Sequence, residues 1–356
     1  MKDAEIRVAL VGYGLGGRSF HAPVIAVTPG MRLAAVVTGN EERQRLVRAE
    51  HPGARIVDTP EELFRNPAGI DLAAISTPNR THVPLALQAI DAGLAVVVDK
   101  PLAPSAAEAR RVTDAARRHN VFLSTYQNRR WDGDFLTIRR LLAERALGNV
   151  HRFESRFERW RPAPKGGWRE QGAPEEAGGL LFDLGTHLID QALCLFGPAT
   201  DVYAEIDKRR AGVEVDDDVF VALTHVTGVR SHLWASVLTA QEGPRFRVLG
   251  DRAAYTKYGM DVQEEALKRG ERPDAPDWGV ESPGHFGLLG VGNDVRRVPT
   301  ERGNYREFYV GVVRSLREGA PPPVDPRDAI ATLEIIERAT AVSSTRAARG
   351  TRLGMT

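Results

Sequence analysis

The chain has 356 residues, with 48 basic and 47 acidic side chains and a formal net charge of +1. A chain of this length forms two domains or one large α/β domain, and balanced charge argues against nucleic acid or an anionic membrane as the main partner. Its 34 glycines and 22 prolines are too scattered for a collagen-like or low-complexity chain, and a single cysteine, Cys194, excludes an intramolecular disulfide or a thiolate zinc site.

No apolar run approaches the roughly 20 residues of a membrane helix. Ile6–Val11 follows the N-terminus almost at once, with no basic and apolar leader before it. A soluble protein in a reducing cytoplasm is therefore expected.

Over residues 1–125, short apolar runs alternate with helical patterns. The predicted strands are Ile6–Val11, Leu33–Thr38, Arg55–Val57, Leu72–Ser76, Ala95–Asp99 and Phe122–Thr125. Their nearly continuous apolar character is that of parallel strands covered on both faces. Helix starts are marked by Thr59-Pro60-Glu61-Glu62 and Ser105-Ala106-Ala107-Glu108, each pairing a capping hydroxyl with a carboxylate three residues on. This alternation predicts an α/β domain built on a doubly wound parallel sheet.

The rhythm changes after Tyr126. A helix is predicted over Trp131–Glu144, a strand from Val150 to Trp160, a loop over Arg161–Gln171 and a helix over Leu180–Phe196. Alternating strands then follow from Val202 to about Tyr258, including Val219–Val226 and Val229–Thr239. Helices return at Tyr305–Glu318 and Pro326–Ser343, the last free to pack back on the first domain. Residues 126–356 thus read as an α+β domain with a large, mostly antiparallel sheet open on one face. Such a face is expected to be covered by another copy of the chain, in a homodimer or homotetramer.

Gly12-Tyr13-Gly14-Leu15-Gly16-Gly17 follows the first strand and opens a helix. In this position Gly12 permits the turn, Gly14 lets the backbone approach a pyrophosphate, and Gly17 allows close helix–strand packing. The helix start supplies N–H groups and positive dipole, so the segment, with Leu15 and Gly16, points to a dinucleotide. The second strand ends in Thr38-Gly39-Asn40 without the carboxylate that usually accepts from the ribose of NAD. Thr38, Asn40 and Arg43 suit a 2′-phosphate instead, which favours NADP; NAD stays open if Glu41 or Glu42 turns to the ribose. The fourth strand ends in Ser76-Thr77-Pro78-Asn79-Arg80-Thr81-His82 and the fifth in Asp99-Lys100-Pro101. Both are strand ends of the kind at which open α/β sheets bind ligands.

In the second half, Gly178-Gly179 precedes Asp183, His187 and Asp190, which share one helical face, with Leu184, Leu188, Ala192 and Leu195 on another. A histidine of this kind can move a proton as a carbonyl is reduced or an alcohol oxidised. Asp216-Asp217-Asp218 reads as a solvated edge rather than a metal site, and Cys194 as core.

The glycine fingerprint, Asp99-Lys100-Pro101 and Gly178-Gly179…Asp183…His187 together resemble the glucose–fructose oxidoreductase/inositol dehydrogenase (Gfo/Idh/MocA) family over essentially the whole chain. Phe20-His21-Ala22-Pro23, Val98–Pro101, Asn128–Asp132 and Trp168–Gly172 are similar to its NADP-dependent scyllo-inositol dehydrogenase branch. The resemblance implies a Rossmann dinucleotide domain and hydride transfer between nicotinamide and a ring carbon of a cyclic polyol or sugar. It implies that Lys100 bonds the reacting oxygen, that Asp183 orients substrate and that His187 is the general acid/base. Thr77, Pro78, Asn79, His82 and Asp99 would lie along the cofactor. Arg129, Trp131, Arg161, Lys165 and Trp168 are candidates for lining a polyol pocket. A keto-sugar reductase or another sugar dehydrogenase of the family is the enzymatic alternative. A dinucleotide-sensing regulatory protein is the non-enzymatic one.

Overall fold

A computed structural model of the chain describes residues 5–164, 166, 170, 172 and 176–353, the last eight by backbone alone. The chain divides into two compact units. The first takes the described residues up to Asp132 together with Val262–Gly279 and Gly303–Ile330, and the second takes the remainder.

The first unit holds a six-stranded parallel sheet: β1 (Ile6–Val11), β2 (Met31–Val37), β3 (Arg55–Val57), β4 (Leu72–Ile75), β5 (Ala95–Asp99) and β6 (Leu123–Tyr126). Their order is β3-β2-β1-β4-β5-β6, which reverses direction between β1 and β4 and so opens a crevice at the carboxyl ends of those strands. Val8, Leu10, Leu72, Ala74 and Val97 have no exposed surface. Burial of each of these valine and leucine side chains contributes about 1.5–3 kcal/mol. The helices between the strands begin as their sequences predict. Thr59 accepts the Glu62 amide at 3.2 Å and Ser105 the Glu108 amide at 3.2 Å, and each such cap is worth about 1 kcal/mol. Late segments of the chain complete this core: Trp278, Tyr305, Phe308, Tyr309 and Val312 pack with Val8, Val24 and Tyr126 in one apolar cluster.

The second unit holds an eight-stranded sheet: β7 (Val150–Glu158), β8 (Ala199–Asp207), β9 (Asp218–His225), β10 (Arg230–Ser236), β11 (Phe246–Gly250), β12 (Ala254–Lys257), β13 (Gly287–Val291) and β14 (Asp294–Val298). It runs β14-β13-β12-β11-β7-β10-β9-β8 and is antiparallel except where β7 lies parallel to β10. The predicted strands are found within a few residues of their expected ends. No reading of the sequence anticipated the β13–β14 hairpin or the short helix Gln263–Lys268. On β9 and β10, Val219, Val221, Leu223, Leu233 and Ala235 are buried, while Phe220, His232 and Trp234 on the opposite side are only half-buried. This alternation is that of a sheet with one covered and one open face.

The predicted helix over Trp131–Glu144 starts at Gly133, because Asn128–Trp131 forms a separate 3-10 turn. The predicted helix Leu180–Phe196 is two pieces, a wide π turn at Leu181–Gly185 and a regular helix at Thr186–Phe196.

Candidate active site

The site residues of the first unit stand at the carboxyl ends of its strands. Gly12 leaves β1 with φ +98°, and a Cβ there would lie 2.3 Å from the Ser76 carbonyl oxygen, so only glycine fits. Around Gly14, in contrast, nothing lies within 4 Å of where a Cβ would stand. The turn is closed toward the sheet and open on its other side. The Arg18 amide donates to the Gly14 carbonyl at 2.9 Å as the helical path begins, and Leu15 is exposed. These residues fit the pyrophosphate of a dinucleotide: an open glycine backbone followed by a helix start with its N–H groups and dipole.

At the end of β2, Thr38 is buried and Gly39 and Asn40 are exposed. Asn40 Oδ1 accepts the Arg43 amide at 3.0 Å, capping the helix Glu41–Glu50. Gln44 donates to the Thr38 carbonyl and to Asp58, at 2.9 and 2.7 Å. Glu41 faces Arg45 at 3.7 Å, whereas Arg43 is exposed and makes no ion pair among the described residues. A cation thus stands one turn beyond β2.

The ends of β4 and β5 are tied together. The Ser76 hydroxyl donates to Asp99 Oδ2 at 3.0 Å, and the Lys100 amide donates to Asp99 Oδ1 at 2.8 Å. A Cβ on Gly16 would come within 3.1 Å of the same Asp99 carboxylate, which places Asp99 against the glycine turn and Lys100 at its side. His21, fully buried, faces Asp99 at 3.6 Å and lies 2.6 Å from the Tyr309 hydroxyl. Burial pushes the Asp99 carboxyl up, but His21 and the charge of Lys100 outweigh it and hold the group at about 2. His82 is also buried, its two ring nitrogens 2.8 and 2.9 Å from the carbonyls of Pro101 and Thr77. Burial lowers its pKa, and the ring serves as a brace between the two loops. Asn79 is buried, Pro78 exposed, and Thr81 donates to the Thr77 hydroxyl at 2.6 Å.

In the second unit, Asp183 lies half-buried in the π turn, while His187 and Asp190 are buried on the regular helix that follows. The His187 ring lies 6.3 Å from that of Phe157. The start of this helix is held by Asp216, whose Oδ2 accepts the Leu181 amide at 2.7 Å and whose carbonyl accepts the Leu180 amide at 3.1 Å. The expected solvated edge is therefore incorrect for two of the three aspartates. Asp216 is half-buried and engaged with the helix, and Asp217 is buried against Arg210 at 2.9 Å. Cys194, read as core, is exposed because it falls on the outward side of the helix.

Of the remaining predicted residues, Arg129 is buried with Asp132 and Glu264 on its guanidinium. Trp131 packs edge-on to Phe308 at 5.8 Å. Arg161 is exposed, and its amide donates to the Val237 carbonyl at 2.7 Å. Trp168 and Lys165 lie outside the described residues. Sequence reasoning assigned no role to His21, Tyr309 or Ser76; only the Phe20–Pro23 run drew attention to His21.

Residues 6–127 match the family model described as an oxidoreductase family with an NAD-binding Rossmann fold, and residues 135–256 match the GFO/IDH/MocA C-terminal domain. The chain belongs to the Gfo/Idh/MocA oxidoreductase family. Its six-stranded sheet is accordingly that family's NAD(P)-binding Rossmann fold. Over 337 residues it is 42% identical to the oxidoreductase YdgJ of Escherichia coli K12, covering 94% of this chain and 95% of that one. It is 34% identical over 342 residues to the NADP-dependent scyllo-inositol 2-dehydrogenase IolW of Bacillus subtilis, covering 95% and 94%. Among solved structures, the oxidoreductase yvaA of Bacillus subtilis superposes with a TM-score of 0.92 at 34% identity, covering 97% of this chain and 98% of that one.

Proposed function

We propose that the protein is an NADP-dependent dehydrogenase that moves a hydride between the cofactor and a ring hydroxyl or keto carbon of a cyclic polyol, of the inositol and inosose type. The observation that carries this reading is the placement of Lys100 beside the open glycine turn, fixed through Asp99 to Ser76 of the neighbouring strand. The bound dinucleotide supplies hydride donation or acceptance. The chain's part is to hold and to move protons. Gly12, Gly14 and the helix start would cradle the pyrophosphate, and Asn40 and Arg43 would receive a 2′-phosphate. Lys100 would donate to the reacting oxygen and stabilise its negative charge, with His187 exchanging the hydroxyl proton and Asp183 orienting the ring.

The 34% identity to an NADP-dependent scyllo-inositol dehydrogenase supports the substrate class. The open sheet face supports a homodimer or homotetramer. Glu205, Phe220, Trp234 and Arg156 stand in register across four strands, with the Arg156 guanidinium 3.9 Å above the Trp234 ring. A face that carries aromatic, acidic and basic groups together can be complementary to itself.

The reading is tested by following nicotinamide absorbance with NADP(H) and NAD(H) across a panel of inositols, inososes and aldoses. Turnover confined to aldoses would move the substrate to the sugar class. No turnover with any of them would favour the regulatory alternative.

A further inference from the structure

The second glycine of the pair before the candidate acid/base helix, Gly179, has a physical explanation in Asp216. Gly179 has φ +87°, and a Cβ there would stand 2.1 Å from Asp216 Oδ1. The missing side chain therefore makes room for a carboxylate, which reaches past Gly179 to accept the Leu181 amide at 2.7 Å. Asp216 is itself anchored. Its carbonyl holds the Leu180 amide, and the next residue, Asp217, accepts the Arg209 and Arg210 amides at 2.7 and 3.0 Å and the Arg210 guanidinium at 2.9 Å. Arg210 reaches on to Glu170 at 3.0 Å.

We propose that Asp216 is the positioning residue of the π turn and helix that carry Asp183 and His187, setting the direction in which both are presented. This rests on the reading of those two residues as the substrate-orienting and acid/base groups. The carboxylate bonds the Leu181 amide and the Asp216 carbonyl the Leu180 amide while Gly179 takes the bend, so the turn cannot rotate without breaking these contacts.

The same contact responds to pH. Burial, with the charge of Asp217 added, raises Asp216 to about 6. The other charged or titratable groups on the elements joined to it are Arg209, which pairs with Asp207 and Asp218, Arg210, which pairs with Asp217 and Glu170, and Asp183 and His187 on the held segment. Because burial outweighs the amide bonds, the held carboxyl keeps its proton more tightly than a released one, so the contact is favoured below about pH 6 and weakens as the group ionises above it. Presentation of His187 therefore loosens as pH rises through about 6.

The experiment compares wild type, D216A and D216N by amide hydrogen exchange over residues 178–190 and by steady-state kinetics across pH. D216A is expected to speed exchange and lower kcat, each by about tenfold, with KM for the dinucleotide unchanged. D216N keeps an oxygen acceptor, so it is expected to restore most of both while losing the pH dependence near 6. Exchange in D216A equal to wild type, loosened exchange with unchanged kcat, or a D216N profile that keeps the pH dependence near 6 would each overturn the inference. If the wild-type protein turns over no polyol or sugar, the functional reading falls. The exchange comparison then still decides whether Asp216 holds the helix.

Discussion

The imidazole of His21 and the carboxylate of Asp99 face each other at 3.6 Å against the glycine turn, with the histidine wholly out of solvent. Asp99 also accepts from Ser76 and from the Lys100 amide, so a single carboxylate joins four parts of the dinucleotide unit. Held at about 2, it lies below the ordinary carboxylate value. A group depressed in this way stabilises the fold above its unfolded pKa, and that stabilisation is lost as pH falls through the folded pKa. Asp99→Asn is expected to cost about 2 kcal/mol at neutral pH. The gap from wild type should close between about pH 4 and pH 2. Urea titrations at a series of acid pH values check this, and parallel curves for the two proteins would rule it out.

His187→Ala is expected to lower kcat by about a hundredfold or more, the usual contribution of a positioned general acid or base. NADPH affinity, measured by fluorescence titration, should be unchanged. Unaltered turnover would remove His187 from the reaction.

Arg43 has no competing ion pair among the described residues, so its charge is available to a phosphate. Arg43→Ala is expected to weaken NADPH binding by roughly tenfold or more and to leave NADH within about twofold, because only the former carries the 2′-phosphate. Calorimetric titration with both nucleotides measures the difference. Equal losses for the two would place Arg43 away from the phosphate.

Trp234 lies at the centre of the aromatic and charged row on the open sheet face. Trp234→Glu puts a carboxylate among groups that a second copy would have to desolvate. The expected outcome is dissociation toward monomer in light scattering coupled to size exclusion, with the thermal transition of the remaining fold preserved. A variant that keeps the wild-type mass would locate the interface elsewhere.

Where one residue's chemistry sufficed, the amino-acid sequence already carried the answer. Thr59 and Ser105 cap as their spacing predicts, and the apolar runs of β1, β4 and β5 can only be buried parallel strands. What could not be read were relations between distant positions. Asp216 resembles a solvated acid until Gly179, 37 residues earlier, is seen to make space for it. His21 is one polar residue in an apolar run, and its partners Asp99 and Tyr309 come from far along the chain. Cys194 misled because the helix around it is buried almost everywhere else. The β13–β14 hairpin went unseen since Asp294–Val298 is exposed and charged along most of its length, and shows no apolar alternation.

The dinucleotide core is closed by Trp278, Tyr305, Phe308 and Tyr309, which are synthesised more than a hundred residues after β6. While the chain is being made, then, the parallel sheet waits with an apolar wall missing. At the centre of the second sheet, β7 likewise has no neighbour until β10 and β11 arrive. Neither unit can finish in the order of translation: the dinucleotide unit needs Gly303–Ile330, and the second unit needs segments on both sides of it. Nonsense mutations before Gly303 should for that reason unravel the dinucleotide fold as thoroughly as damage to the glycine turn itself, and the nascent protein depends on protection from aggregation until Gly303–Ile330 is made.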